Sequence, residues 1–172
     1  MRNEPLASLA CDHIKSYIGT PYRWGGDDPS GLDCSGLVIV ALQGVGLFPQ
    51  GSDATADTLY RMFPPLDLTP VPLQVVVLAP GGIIYPPEHG RVRPGCLVFF
   101  GTPAKVTHVE WIVAVVDGQP YSIGASGGGS KTLSPKDAWA QNAWVKLRAV
   151  NGPGARKDIV GYADPFQVEA VG

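Results

Sequence analysis

Pro21-Tyr22-Arg23-Trp24-Gly25-Gly26, followed by Asp33-Cys34-Ser35-Gly36-Leu37-Val38-Ile39-Val40-Ala41-Leu42-Gln43-Gly44, is the stretch on which the reading of the fold turns. The apolar run after Gly36 predicts a helix of about three turns, ended by Gly44 and Gly46. Cys34 then stands in its first turn. Unpaired backbone N–H groups and the positive end of the helix dipole favour an anion there, so a thiol so placed ionises more readily than a free one. A nucleophile is the reading that follows. Asp33, just before it, has two roles open: capping the helix with its carboxylate and meeting a ligand.

Upstream, Leu6, Leu9, Ala10, His13, Ile14 and Tyr17 recur at spacings of three and four, with Pro5 suited to a first turn. This predicts a packing helix over 5–18. Downstream, 53–62 reads as a shorter helix capped by Ser52 or Asp53 and stopped by Pro64-Pro65. The stretch 66–93 holds Pro70, Pro72, Pro80, Pro86 and Pro87 around a strand-like Val75-Val76-Val77-Leu78, and is taken as an insertion. Strands are expected at Leu97–Phe100, Val106–Val116, Tyr121–Ile123 and Val145–Val150, with Asp117-Gly118 as a tight hairpin turn. Gly127-Gly128-Gly129 reads as a flexible turn and the stretch from 151 as an irregular tail. Helices first and an antiparallel sheet afterwards make the class α+β.

A chain of 172 residues with 45% hydrophobic content is long enough for one well-packed domain, and the expectation is a single domain over 1–172. The formal net charge is −2, with no basic stripe, so nucleic acid is not an expected partner. No apolar run approaches the roughly 20 residues that span a bilayer, and Met1-Arg2-Asn3-Glu4-Pro5 lacks the basic-then-apolar pattern of a secretory signal. Cys11, Cys34 and Cys96 are an odd number at spacings that suit neither a disulfide framework nor a zinc site. Cys11 and Cys96 are assigned to the core.

A cysteine nucleophile needs a base to take its proton, and the candidates are His13, His89 and His108. His13 lies within the first helix's apolar pattern and His89 in the insertion. His108 opens a strand, Thr107-His108-Val109-Glu110-Trp111-Ile112, where rigid backbone holds an imidazole in place. A helix-borne cysteine facing a sheet-borne histidine is the papain-like arrangement.

The run Ile18–Gly26, then Gly31-Leu32-Asp33-Cys34-Ser35-Gly36-Leu37-Val38, then Arg93-Pro94-Gly95-Cys96-Leu97-Val98-Phe99-Phe100, then Thr107-His108-Val109, resembles the NlpC family of papain-like cell-wall peptidases in order and spacing. The resemblance covers roughly residues 7–126. It implies a papain-like NlpC fold, with N-terminal helices and the nucleophile's helix end packed on a central antiparallel sheet. It also implies hydrolysis of an amide bond in peptidoglycan stem peptides, commonly between D-glutamate and diaminopimelate or lysine, with no metal or organic cofactor. Carried over by position, Cys34 is the nucleophile, His108 the general base and then acid, and Tyr22 a phenol beside the cysteine that contacts substrate or oxyanion. Asp33 and Ser35 match positions that hold a free amino group of the stem peptide. Trp24 is assigned to the core.

Two departures stand out. Where the family presents a third polar residue behind the base, in a pattern resembling Ile-His-Ala-Ser, this chain reads Ile123-Gly124-Ala125-Ser126. Gly124 has no side chain to offer, so the expected support is a hydroxyl of Ser122 or Ser126, a backbone carbonyl or a water. Cys96 stands where the family has aspartate. The rival expectation is a catalytically weak or inactive module of a phage tail or secretion apparatus; a further one keeps the thiol chemistry on another amide. Export by a phage particle, a secretion system or lysis is the expected route from the cytoplasm to the wall.

Overall fold

Asn3 opens the first helix: its side chain accepts the Leu6 N–H at 3.1 Å, Pro5 fills the first turn, and α1 runs Glu4–Lys15. The computed structural model describes residues 2–63, 66 and 92–167. The expected insertion, its strand at Val75–Leu78 and His89 lie outside the described residues, apart from Leu66, Val92 and Arg93. A two-residue hairpin, β1 (Asp27–Asp28) with β2 (Gly31–Leu32), leads into α2 (Cys34–Gly44), and α3 spans Ala56–Met62. There follow β3 (Leu97–Thr102), β4 (Lys105–Val116), β5 (Gln119–Ser126), α4 (Pro135–Ala140), β6 (Trp144–Ala149) and β7 (Ile159–Ala163).

The five long strands form one antiparallel sheet in the order β6-β5-β4-β3-β7. In β3, Leu97-Val98-Phe99-Phe100 is apolar at every position because both faces are covered. Leu97 and Phe99 join Val109, Trp111, Ile123 and the helices in the main core, while Val98 and Phe100 meet Ile112, Val150 and Tyr162 on the other side. Each such fully buried side chain contributes about 1.5–3 kcal/mol relative to exposure. Cys11 and Cys96 are buried, as expected.

β4 and β5 are joined at Asp117-Gly118, whose φ values of 50° and 77° are those of the primed turn that matches strand twist. The tail from 151, expected to be irregular, contributes β7, which pairs with β3 from Leu97↔Ala163 to Phe100↔Ile159. Helix α4 was likewise missed, although Ser134 accepts the Asp137 N–H as a cap and Pro135 begins the helix.

Near the start of β4 the register breaks: Phe100 pairs with His108 but Gly101 with Val106, leaving Thr107 as the extra residue of a bulge. Val106 and Val109, three apart, therefore both face the main core. His108 turns the other way. Gly101, at φ 132°, permits this bend; a Cβ there would meet the Lys105 carbonyl oxygen at 2.6 Å.

Candidate active site

Helix α2 begins where Asp33 ends its extended backbone. The Asp33 carboxylate accepts the Gly36 N–H (2.8 Å) and the Ser35 hydroxyl (3.0 Å) with one oxygen, and the Gly25 N–H (2.9 Å) with the other. It thus caps α2 and ties the aromatic-glycine loop to it. Gly36 packs so tightly on that loop that an added Cβ would sit 2.0 Å from the Gly26 carbonyl oxygen. These contacts put Cys34 at the first position of α2, half-buried at the edge of an open groove of about 560 Å³.

His108 faces it from β4. The structure therefore brings together Cys34, His108, Tyr22, Asp33 and Ser35, all of which line the groove. Tyr22 is 4% exposed, and burial, then the nearby Cys34 and Asp33, push its phenol well above the ordinary range, so it stays a neutral donor. Ser35 is buried with its hydroxyl turned to Asp33. His13 is outside the site: its Nε2 meets the Tyr17 hydroxyl at 3.2 Å.

Trp24, assigned to the core from sequence, is instead 53% exposed and lines the groove, because Gly25 (φ 67°) turns the loop and leaves its indole at the rim. The glycine run 127–129 is more than a flexible turn. Gly128 lies against Tyr22, where a Cβ would come within 2.2 Å of the ring, so the missing side chain seats the phenol.

Behind His108 stands a residue the sequence reading passed over. Glu110, two along the same strand and 2% exposed, has its Oε1 2.9 Å from His108 Nε2. Its Oε2 accepts the Ser122 hydroxyl at 2.5 Å and Arg148 Nε at 3.3 Å, while a second Arg148 nitrogen donates to Oε1. Ser122, offered as a support for His108, supports Glu110 instead. The signal available in the sequence was a carboxylate in an otherwise apolar strand, at the spacing that puts it on the histidine's side.

These neighbours set the protonation of the pair. Burial alone would lower the His108 pKa, but hydrogen bonds and charge from Cys34 and Glu110 outweigh it and raise it to about 9. Burial of Glu110 is likewise overcome, by His108 and then Arg148, which bring its carboxyl down to about 2. With Nε2 engaged by Glu110, Nδ1 is the ring nitrogen left for Cys34. Phe100 packs on the imidazole at 5.6 Å between centroids. Among the described residues no cluster of His, Cys, Asp or Glu is arranged to hold a metal ion, and no helix is long and apolar enough to cross a membrane.

Comparison with known proteins agrees with this fold. The model of the NlpC/P60 family matches residues 19–149. Murein DD-endopeptidase MepH of Escherichia coli K12 is 29% identical over 151 residues, which is 87% of this chain and 48% of that protein. The chain thus spans about half the length of this relative. A solved NlpC/P60 family protein from Bacillus cereus ATCC 10987 shares the fold with a TM-score of 0.64 at 18% identity, covering 94% of this chain and 40% of that one. NlpC2 from Trichomonas vaginalis does so with a TM-score of 0.63 at 19% identity, covering 98% and 49%.

Proposed function

The chain belongs to the NlpC/P60 family, and from that premise we propose that it is a cysteine hydrolase cleaving an amide bond of peptidoglycan stem peptides through an acyl-enzyme on Cys34. The observation that carries the reading is the contact of Cys34, at a capped helix N-terminus, with a buried His108 on the wall of an open groove.

His108 takes the Cys34 proton, which leaves sulfur as the attacking atom. Attack on the scissile carbonyl places negative charge on its oxygen. The Cys34 backbone N–H, one of the groups a helix start leaves without an internal partner, and the neutral Tyr22 phenol are the donors for that oxygen. His108 then gives its proton to the leaving amine. Water, deprotonated by His108, releases the acyl group and restores the pair. Asp33, with the buried Ser35 hydroxyl donating to it, is the acceptor for a free ammonium of the stem peptide. The bond proposed is D-γ-glutamyl to diaminopimelate or lysine; the name of the Escherichia coli relative points to a DD-bond as the competing choice.

Digestion of purified muropeptides followed by fragment masses tests both. Fragments ending in D-glutamate support the first bond and fragments ending in D-alanine the second, with Cys34→Ala inactive in either case. Intact muropeptides, together with Cys34 reacting with iodoacetamide no faster than a free thiol, would instead favour the binding-module reading.

A further inference from the structure

We infer that Glu110 is the positioning residue for His108, and that position 124 is glycine because the Glu110 side chain occupies the space a side chain there would need. The inference rests on the proposed Cys34–His108 pair and adds how that pair is held.

Counting from the Trp111↔Ile123 pair, Gly124 lies directly across from Glu110 on β5. A Cβ on Gly124 would stand 2.5 Å from Glu110 Cγ, 2.7 Å from Cδ and 2.8 Å from Oε1. The carboxylate therefore lies over the Gly124 backbone on its way to Arg148, which projects from β6, the next strand out. Where the family resemblance predicts a side chain on β5, the same space is filled from β4. Support for the base has moved one strand over, and the glycine is the counterpart of that move.

The partners of Glu110 indicate a role beyond a salt bridge. A carboxylate needed only to hold Arg148 could do so at the surface, where neither ion loses its water; here it is 2% exposed, and burying it is costly unless its lone pairs are filled. They are filled by His108, Ser122 and Arg148. Ser122 and Arg148 fix the carboxylate, and the carboxylate fixes the ring. With the Nε2 proton given to Glu110, the neutral ring presents an unprotonated Nδ1 to Cys34, the form that accepts a proton, and the charged ring keeps an anion at its back. Other charges face this pair less directly: Asp158 acts on His108, and Arg156, paired with Asp158, acts on Cys34 and Glu110.

Alkylation of Cys34 by iodoacetamide as a function of pH tests this without any assumption about substrate. In Glu110→Gln, which keeps shape but loses the charge, the alkaline step of the profile, where His108 gives up its proton, should move down by about one to two pH units. Glu110→Asp should recover part of the shift. Gly124→His alone should lose labelling through the clash, whereas Glu110→Gly with Gly124→His should label at least about tenfold faster than Glu110→Gly, the support having been moved back. An unshifted profile in a Glu110→Gln protein with a wild-type circular dichroism spectrum overturns the inference. Nitrogen NMR of wild-type protein gives a check independent of any variant: above the His108 titration the ring proton should reside on Nε2, and an Nδ1–H tautomer overturns it. If wild-type Cys34 reacts no faster than a free thiol, the proposed enzyme fails. If it reacts fast and depends on His108 but not on Glu110, this inference alone fails.

Discussion

Gly36→Ala should cost both stability and reactivity, and the structure sets the scale. The added methyl would lie 2.0 Å from the Gly26 carbonyl oxygen, 2.9 Å from its carbon and 3.1 Å from Asp27 Cα, short of ordinary contact at 3.4 Å by about 1.4 Å at the worst atom. Every one of these atoms is backbone, so no rotamer change relieves the clash. The Gly26 loop cannot retreat freely either, since a Cβ on Gly26 would itself be 2.2 Å from the Gly31 carbonyl oxygen. Helix propensity favours alanine by about 1 kcal/mol, and overpacking of this kind costs typically about 1–3 kcal/mol, so with backbone at every contact the net is a destabilisation towards the upper end of about 0–2 kcal/mol. The start of α2 is the part that must move. Cys34 is two residues away, and a displacement of about 1 Å at a reacting atom costs on the order of 10²-fold in rate. Urea unfolding measures the first effect, and hydrolysis or iodoacetamide labelling rates the second. A Gly36→Ala protein with wild-type midpoint and wild-type labelling would refute the claim that this glycine contact sets the position of Cys34.

Tyr22→Phe should lower the hydrolysis kcat by about 10²-fold, the usual loss for one oxyanion donor, while leaving iodoacetamide labelling near wild type, because alkylation develops no oxyanion. Equal losses in both assays would place Tyr22 with the packing of Cys34 instead. Asp33→Asn keeps an oxygen for the Gly36 N–H but loses the acceptor of the Gly25 N–H, so stability should fall by about 1 kcal/mol, while KM for stem peptides with a free amino terminus rises and that for acetylated ones does not; an equal change for both sorts of peptide removes the ammonium contact. Linkage gives a pH signature for the buried pair. His108, raised from 6.5 to about 9, contributes stability present in full below pH 6.5 and lost as pH rises through 9. Glu110, lowered from 4.5 to about 2, contributes stability present above 4.5 and lost as pH falls through 2. Urea midpoints should therefore be best supported by this pair between pH 4.5 and 6.5, and Glu110→Gln should flatten both limbs; parallel wild-type and variant curves would contradict it.

The parts of the molecule legible from sequence are those in which one local rule decides the outcome. Asp33 before an apolar run is a helix start whatever the rest does, and its carboxylate takes the cap and the Gly25 loop together. Asp117-Gly118 admits the two positive φ values a tight hairpin needs, so the pairing of β4 with β5 is legible in the dipeptide itself. Illegible were elements whose sense is tertiary. Strand β7 is interrupted by Gly161 and reads as tail, yet the open edge of β3 completes its hydrogen bonds. Trp24 looks like core by residue type, and only the turn at Gly25 leaves it on the rim of the groove.

The carboxylate behind His108 shows the same limit more sharply, since both halves of the answer are visible in the sequence and neither is interpretable alone. Gly124 reads as a loss: where the family resemblance places a polar side chain behind His108, this strand holds none. Glu110 reads as a misfit: a carboxylate between Val109 and Trp111, in a strand buried from 108 to 112, violates the pattern that keeps charge outside. Register joins them, because the pairing of Trp111 with Ile123 sets residue 110 against residue 124. Cross-strand volume then couples the two choices: a side chain at 124 excludes the glutamate, and the glutamate requires the glycine. Two residues that each break a local rule and lie directly opposite each other in a sheet are better explained as one feature than as two defects. On that argument the missing side chain at 124 is evidence for a working His108, where by itself it had counted against one.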